Sequence, residues 1–173
     1  MPTPARILDA CDAVATDITA TWSPTSPDRV RRAYAPRIGL STDHKDSLIS
    51  GRQVYVFPAA WANPDAVTRS ELLNEYTITV VVAERYTDGG GNQPQGPVPD
   101  DWTDARVLFV ETLFNRLKDP TRSLTGAAVQ LYREPQTPAT VDEVYDLDDL
   151  LERKAFWSRF TITYHEIVGT DGS

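Results

Sequence analysis

The chain has 173 residues, 40% hydrophobic and 24% charged, with 25 acidic against 17 basic side chains and a net charge of −8. That length suits one domain spanning residues 1–173 with a real core, and the balance excludes a disordered chain. The acidic excess, with no cluster of Lys and Arg, argues against a grip on nucleic-acid phosphates, and one cysteine excludes an intrachain disulfide.

Thr3 and Pro4 read as a helix start, with Thr as cap and Pro at the first helical position. Ile7, Leu8, Cys11, Val14, Ala15 and Ile18 then form one apolar stripe, so Cys11 reads as a small buried hydrophobe. Pro24 and Pro27 stop this helix near Trp22. Val30 to Leu40 reads as a first strand, broken or bent at Pro36 and therefore at a sheet edge, followed by a polar loop from Ser41 to Ser50. Arg52 to Pro58 (RQVYVFP) is a strand apolar on both faces. Ala59 to Val67 reads as a connection, with Asn63-Pro64 as turn chemistry. In Ser70 to Thr87, Tyr76, Ile78, Val80 and Val82 point one way, and Thr77 and Thr79 the other. A short link between two such strands predicts an antiparallel pair.

Residues 88–100 (DGGGNQPQGPVPD) read as a flexible loop, closing at Asp101 as the cap of the next helix, with Asp104 in its first turn. That helix carries Trp102, Ala105, Phe109, Leu113 and Leu117 on one face, widened by Leu108 and Val110, and stops at Lys118 and Pro120. Val129 to Arg133 is a short strand, and the acidic stretch Val141 to Leu151 has no assigned element. Ala155 to Val168 sets Phe156, Phe160, Ile162 and Tyr164 against Trp157, Arg159, Thr161, Thr163 and His165, a long strand with one face in the core. Residues 169–173 read as a frayed tail. The predicted order is α-β-β-β-α-β-β: an α+β fold with a mostly antiparallel sheet, an N-terminal helix, and one long helix packed on the sheet.

The sequence offers little chemistry. The glycine loop lacks the Lys-Ser/Thr of a phosphate-binding loop and has Pro94 where a dinucleotide turn wants glycine. The acidic stretch lacks the mid-loop glycine of a calcium-binding loop. His44 and His165 have no ligand-like spacing, and His165 and Glu166 fall on opposite faces of a strand. No serine sits in a nucleophile elbow. These readings predict no catalytic, cofactor or metal residues. No run approaches the roughly 20 apolar residues of a membrane span, and the N-terminal segment has no basic-then-apolar leader pattern. The expected setting is a cytoplasm-like compartment without a membrane partner.

The helix ARILDACDAVA, the strand RQVYVFPAA, the long strand NEYTITVVVAERY, the helix DDWTDARVLFVETLFNRL and the closing strand FWSRFTITYHEI together resemble the tail terminator proteins of long-tailed bacteriophages. The resemblance implies a homo-oligomeric ring, usually of six subunits, that caps the tail tube and joins it to the neck connector. Its place would be the virion, assembled in the host cytoplasm, with DNA only as passing cargo. It transfers no catalytic residues. Trp157, Arg159, Arg31, Arg32, Asp88 and Asn92 are the candidate interface residues, and Asp142, Glu143, Asp146, Asp148 and Asp149 the candidate acidic lining of a lumen. Alternatives are another head–tail connector, a minor tail subunit, or, in a different class, a small protein-binding module; an enzyme is the least expected.

Overall fold

The structure, a computed structural model, describes residues 6–33, 51–68, 71–87 and 96–169. The elements are α1 (Arg6–Trp22), β1 (Arg29–Arg32), β2 (Gln53–Thr68), β3 (Glu71–Arg85), α2 (Asp100–Leu117), β4 (Leu124–Thr125), β5 (Gln130–Leu131), β6 (Ala139–Glu143), α3 (Leu147–Arg153) and β7 (Ala155–Gly169). Five strands form one sheet in the order β1-β2-β3-β7-β6, while β4 and β5 make a separate small hairpin. Only β1 and β2 run parallel; the other neighbours are antiparallel. The protein is thus α+β, with an N-terminal helix, a mixed but mostly antiparallel sheet, one long helix and one short helix.

Alternation in the strands decides the two layers. Val54 and Val56 of β2, Tyr76, Ile78, Val80 and Val82 of β3, and Phe156, Phe160, Ile162 and Tyr164 of β7 all face α1, α2 and the β4–β5 hairpin, forming the main core. The helices add Ala10, Cys11, Val14 and Ile18 from α1 and Val110, Leu113 and Leu117 from α2. Burial pushes the Cys11 thiol up to about 12, so it behaves as packing. The far face carries a smaller cluster of Tyr55, Phe57, Val81 and Ala83, with Ala33 and Trp157 packed against it. The turn after β4 comes so close to α1 that a Cβ at Gly126 would sit 3.1 Å from Ala13 Cβ and 3.2 Å from Asp9 O.

Several sequence expectations need correction. The first strand is described over Arg29–Arg32; the rest of its expected span from 34 on, with Pro36, and the loop to 50, including His44, lie outside the described residues, as do Thr3, Pro4 and the tail beyond 169. Ala59 to Val67 is not a connection, because β2 continues through it to Thr68, with register shifts after Pro58 and Ala62 that absorb the prolines. In α2 the helix starts at Asp100 after Pro99, which makes no side-chain cap bond; Asp101 instead lies inside the first turn. Leu108 is 63% exposed and Ala105 is also exposed. Arg106 and Phe114 turn inward instead, toward Glu84 and Phe160. The unassigned acidic stretch forms β6 and α3.

Ion pairs tie the layers together. Asp17 of α1 accepts from Arg116 of α2 (3.0 and 3.1 Å) and from Arg122 beyond it (2.7 and 3.3 Å). Burial pushes the Asp17 carboxyl up, but hydrogen bonds and charge from Arg122 and Arg116 outweigh it and hold the carboxyl below its ordinary range. The stabilisation is therefore full above the unfolded-state value near about 4, and is lost as pH falls through the lowered folded-state value. Asp17→Asn is expected to cost about 2 kcal/mol at pH 7. Between pH 5 and 2 its melting temperature should fall less steeply than that of the unaltered chain, and calorimetry across that range checks the sign.

Candidate assembly surfaces

Among the described residues the sheet ends in two short outer strands: β1 has four residues and β6 five, against 15 or 16 for the strands between them. In β1, Arg29 N–H donates to Arg52 O and Ala33 N–H to Val56 O, each at 2.9 Å. The intervening parity turns the backbone groups of Val30 and Arg32 away from β2. The adjacent arginines separate across the sheet. Arg31 lies over the Tyr55 ring, 4.9 Å from its centroid, and donates to its hydroxyl at 3.2 Å on the far face. Arg32 turns to α1, reaching Asp12 at 2.7 Å and Leu8 O at 3.3 Å. Arg29 is exposed.

At the opposite edge, Thr163 N–H donates to Pro138 O at 3.1 Å, and β6 then pairs Ala139, Thr140 and Val141 with Ile162, Thr161 and Phe160. This alternation leaves the backbone groups of Ala139 and Val141 facing outward. A bulge follows at Asp142. The five acidic candidates do different local work. Asp142 accepts from Thr161 Oγ1 at 2.7 Å and from Thr140 Oγ1 at 3.2 Å. The Glu143 carbonyl accepts from Ser158 Oγ. Asp146 caps α3 by accepting from Asp149 N–H at 3.0 Å. Asp148 is exposed in the first turn of that helix. Burial lifts the Asp149 carboxyl above its ordinary value, against the pull of Arg153, which donates to it at 2.6 Å. Among these acids Val141, Val144, Tyr145, Leu147 and Leu151 are exposed, an apolar strip with an acidic border.

The far face of the sheet carries Trp157 and Arg159. Trp157 sits opposite Ala83 and packs on the Tyr55–Phe57 cluster, while Arg159 reaches 3.8 Å from Asp142. From there the face turns polar: Thr79–Thr161 and Thr77–Thr163 hydroxyl pairs at 3.2 Å, then His165 Nε2 at 3.3 Å from Glu75. Asp88 and Asn92 lie outside the described residues. The structure brings Arg159 and Asp142 together; Trp157 stands two residues from Arg159 on the same face, and Arg31 joins them only through Tyr55. Trp61, 62% exposed on the distal half of β2, is a surface aromatic that the connection reading hid.

Sequence reasoning also passed over the buried polar anchors. Arg133, 6% exposed, donates to four carbonyls: Thr163 O at 3.0 Å, Thr137 O at 2.6 Å, Pro138 O at 3.3 Å, and Lys118 O. Glu84 accepts from both Arg52 and Arg106, whose guanidinium groups stack on Phe109 and Trp102. Glu166, on the helix side, takes the Tyr76 hydroxyl at 2.7 Å and Arg6 at 2.8 Å. Burial, and then that carboxylate, raise the Tyr76 hydroxyl well above its ordinary value. No local periodicity marks the Glu84 and Glu166 pairs, since their members lie 22 to 160 residues apart. A cleft of ≈ 490 Å³ beside Lys118, Asp119 and Thr137 shares Arg133, whose donors are taken up by carbonyls. Among the described residues no group of three or more His, Cys, Asp or Glu side chains is placed to hold a metal ion, and no helix is long and apolar enough to cross a membrane. No family model matches the chain, and no curated protein sequence matches it.

Proposed function

We propose that the chain is a structural subunit of a bacteriophage tail, a tail terminator whose ring caps the tail tube and joins it to the neck. The observation that carries this reading is the pair of short outer strands that no other strand among the described residues covers, one of them bordered by exposed apolar side chains. An edge with free N–H and C=O groups is a pairing surface, and proteins that keep one exposed use it or guard it. Used at both sides of one sheet, such edges generate a head-to-tail contact, and a head-to-tail contact that closes makes a ring. The net charge of −8 suits a channel wall that must let DNA slide without binding it. The six-fold number comes from the family resemblance alone.

Native mass spectrometry and negative-stain microscopy of the purified chain test the reading. The expected species is a closed ring; six copies of 19.2 kDa would weigh about 115 kDa. The ring is expected to bind the end of purified tail tubes and to stop their growth. A chain that stays monomeric at about 100 μM, with or without tubes, overturns it. The second reading, a protein-binding module, draws on Trp61 and the half-buried Trp157, since exposed aromatics mark contact surfaces. One stoichiometric foreign partner without self-assembly would favour it.

A further inference from the structure

We infer that the exposed apolar strip on β6 and α3 docks a basic amphipathic helix of another protein. That helix lies along α3, with its apolar line on Leu147 and Leu151 and a line of Lys or Arg on Asp148 and Glu152. The contact is made with a foreign partner and does not require the ring proposed above.

Exposed apolar surface is concentrated here. Eight large hydrophobic side chains are exposed among the described residues, and five of them, Val141, Val144, Tyr145, Leu147 and Leu151, fall between 141 and 151. Single exposed apolar residues need no account, but a contiguous run marks a contact surface. The helix period then orders the outer side of α3. At about 100° per residue, Leu147 and Leu151 fall on one line and Asp148 and Glu152 on a second, about 100° round the axis. All four are exposed, whereas Asp149 and Leu150 point to the remaining side and are buried. The strip is also held in place. The Tyr145 ring stacks on Phe156 of the core with centroids 6.4 Å apart, and Asp146 caps α3 through the Asp149 N–H. A surface already ordered loses little freedom when a partner lands on it.

Charge names the occupant. Residues 139–153 carry Asp142, Glu143, Asp146, Asp148, Asp149 and Glu152 against Arg153 alone. Arg153 is taken by Asp149, and Arg159 approaches Asp142 at 3.8 Å. Among the described residues Asp148 and Glu152 have no ion pair. A purely apolar partner would strip water from those two carboxylates and replace it with nothing. Lys or Arg beside the partner's apolar line would pair with them instead. The i, i+4 spacing of both lines matches the side-chain rows of a second helix, which is why a helix fits them. A second copy of this chain supplies no such helix. The fully exposed positions of α1 and α2 carry Asp12, Asp101, Asp104 and Glu111, with no Lys or Arg among them.

Selection from a displayed library of helical peptides of about 18 residues, with apolar and charged positions varied, tests this on the full chain. The selected peptides are expected to carry Lys and Arg beside an apolar i, i+3, i+4 line. By fluorescence anisotropy, Leu147→Ser with Leu151→Ser should weaken the best peptide about tenfold or more. Asp148→Asn with Glu152→Gln should weaken it about threefold or more and flatten its salt dependence. All four positions are exposed, so both double variants should keep a cooperative melt. A selection that returns no binder, binders without basic enrichment, or binders indifferent to both double variants would each overturn the proposal. So would sedimentation showing that the unaltered chain self-associates and that the leucine pair abolishes it, since the occupant would then be a second copy. If the leucine variant loses its cooperative melt, the carboxamide variant and its salt dependence decide. The ring reading is judged separately, by the native mass of the unaltered chain, so either can fail alone.

Discussion

Replacing Arg133 by methionine is expected to lower the unfolding free energy by about 3–5 kcal/mol, read as a lower urea midpoint at unchanged slope. The guanidinium holds four carbonyls from three places: Lys118 at the end of α2, Thr163 on β7, and Thr137 and Pro138 in the turn before β6. Methionine fills similar space and takes this donor from the Thr163, Thr137 and Lys118 carbonyls, while the Pro138 carbonyl keeps the Thr163 N–H. Each orphaned carbonyl costs about 1–3 kcal/mol when it cannot reach water. Burial pulls the Arg133 pKa below its ordinary value, yet a guanidinium stays charged at any working pH. Arg133→Lys keeps the charge but not the planar fork, so its loss should fall between that of Met and zero. A loss below about 1 kcal/mol for Met would mean that the carbonyls find other donors and that the arginine is not the brace of this corner. Because the brace ends on Pro138, loosening it also loosens β6, so assembly should weaken along with stability.

The second large effect is expected at Phe160. Its ring is fully buried, meets Phe114 edge to face with centroids 5.5 Å apart, and lies between Val80 and Val141 in the sheet. Phe160→Ala removes that ring from the centre of the core, where α2 and the long strands meet. The expected cost is about 3–5 kcal/mol, part lost transfer and part unfilled cavity. For a chain of this size that corresponds to roughly 6–20 °C in melting temperature, measurable by calorimetry. A drop under about 3 °C would mean that the core collapses into the gap, with Phe114 swinging in.

The elements most legible in the sequence were those with one wet face. β3 and β7 alternate because Thr77, Thr79, Thr161 and Thr163 point away from the core, and that period is visible in any window of eight residues. β2 was legible for half its length. Asn63-Pro64 reads as a turn by local rules, but beyond Phe57 no strand among the described residues pairs with the outer side of β2, and an edge accommodates proline. The parallel start was hidden for another reason: β1 and β2 are separated by 20 residues, long enough for a crossover that no local signal announces. In α2 the true inward line runs through Arg106, a residue that hydrophobic periodicity places outside; its reason to face inward, Glu84, lies on another element. The acidic stretch, left without an element by its sequence, resolves into a bulge, a cap and a salt bridge, because Asp146 lies three residues before the amide it caps. Pro36 marked the first strand as an edge, and β1 is the outermost strand; the β6 edge was least visible, since whether a strand has a neighbour is a property of topology.

The position of β7 has a consequence for how the chain comes into being. This strand, residues 155–169, sits between β3 and β6, and its fifteen partners in β3 were made 70 to 98 residues earlier. During translation, β3 must therefore wait with one long side unsatisfied and the valines at 80–82 uncovered while the ribosome adds all of α2, β4, β5, β6 and α3. At about 5–20 residues per second that wait lasts on the order of 4–20 s, a window in which nascent chains can pair with each other instead. Folding yield should then depend on translation speed and chaperone supply through that interval, more than on the strength of the finished sheet.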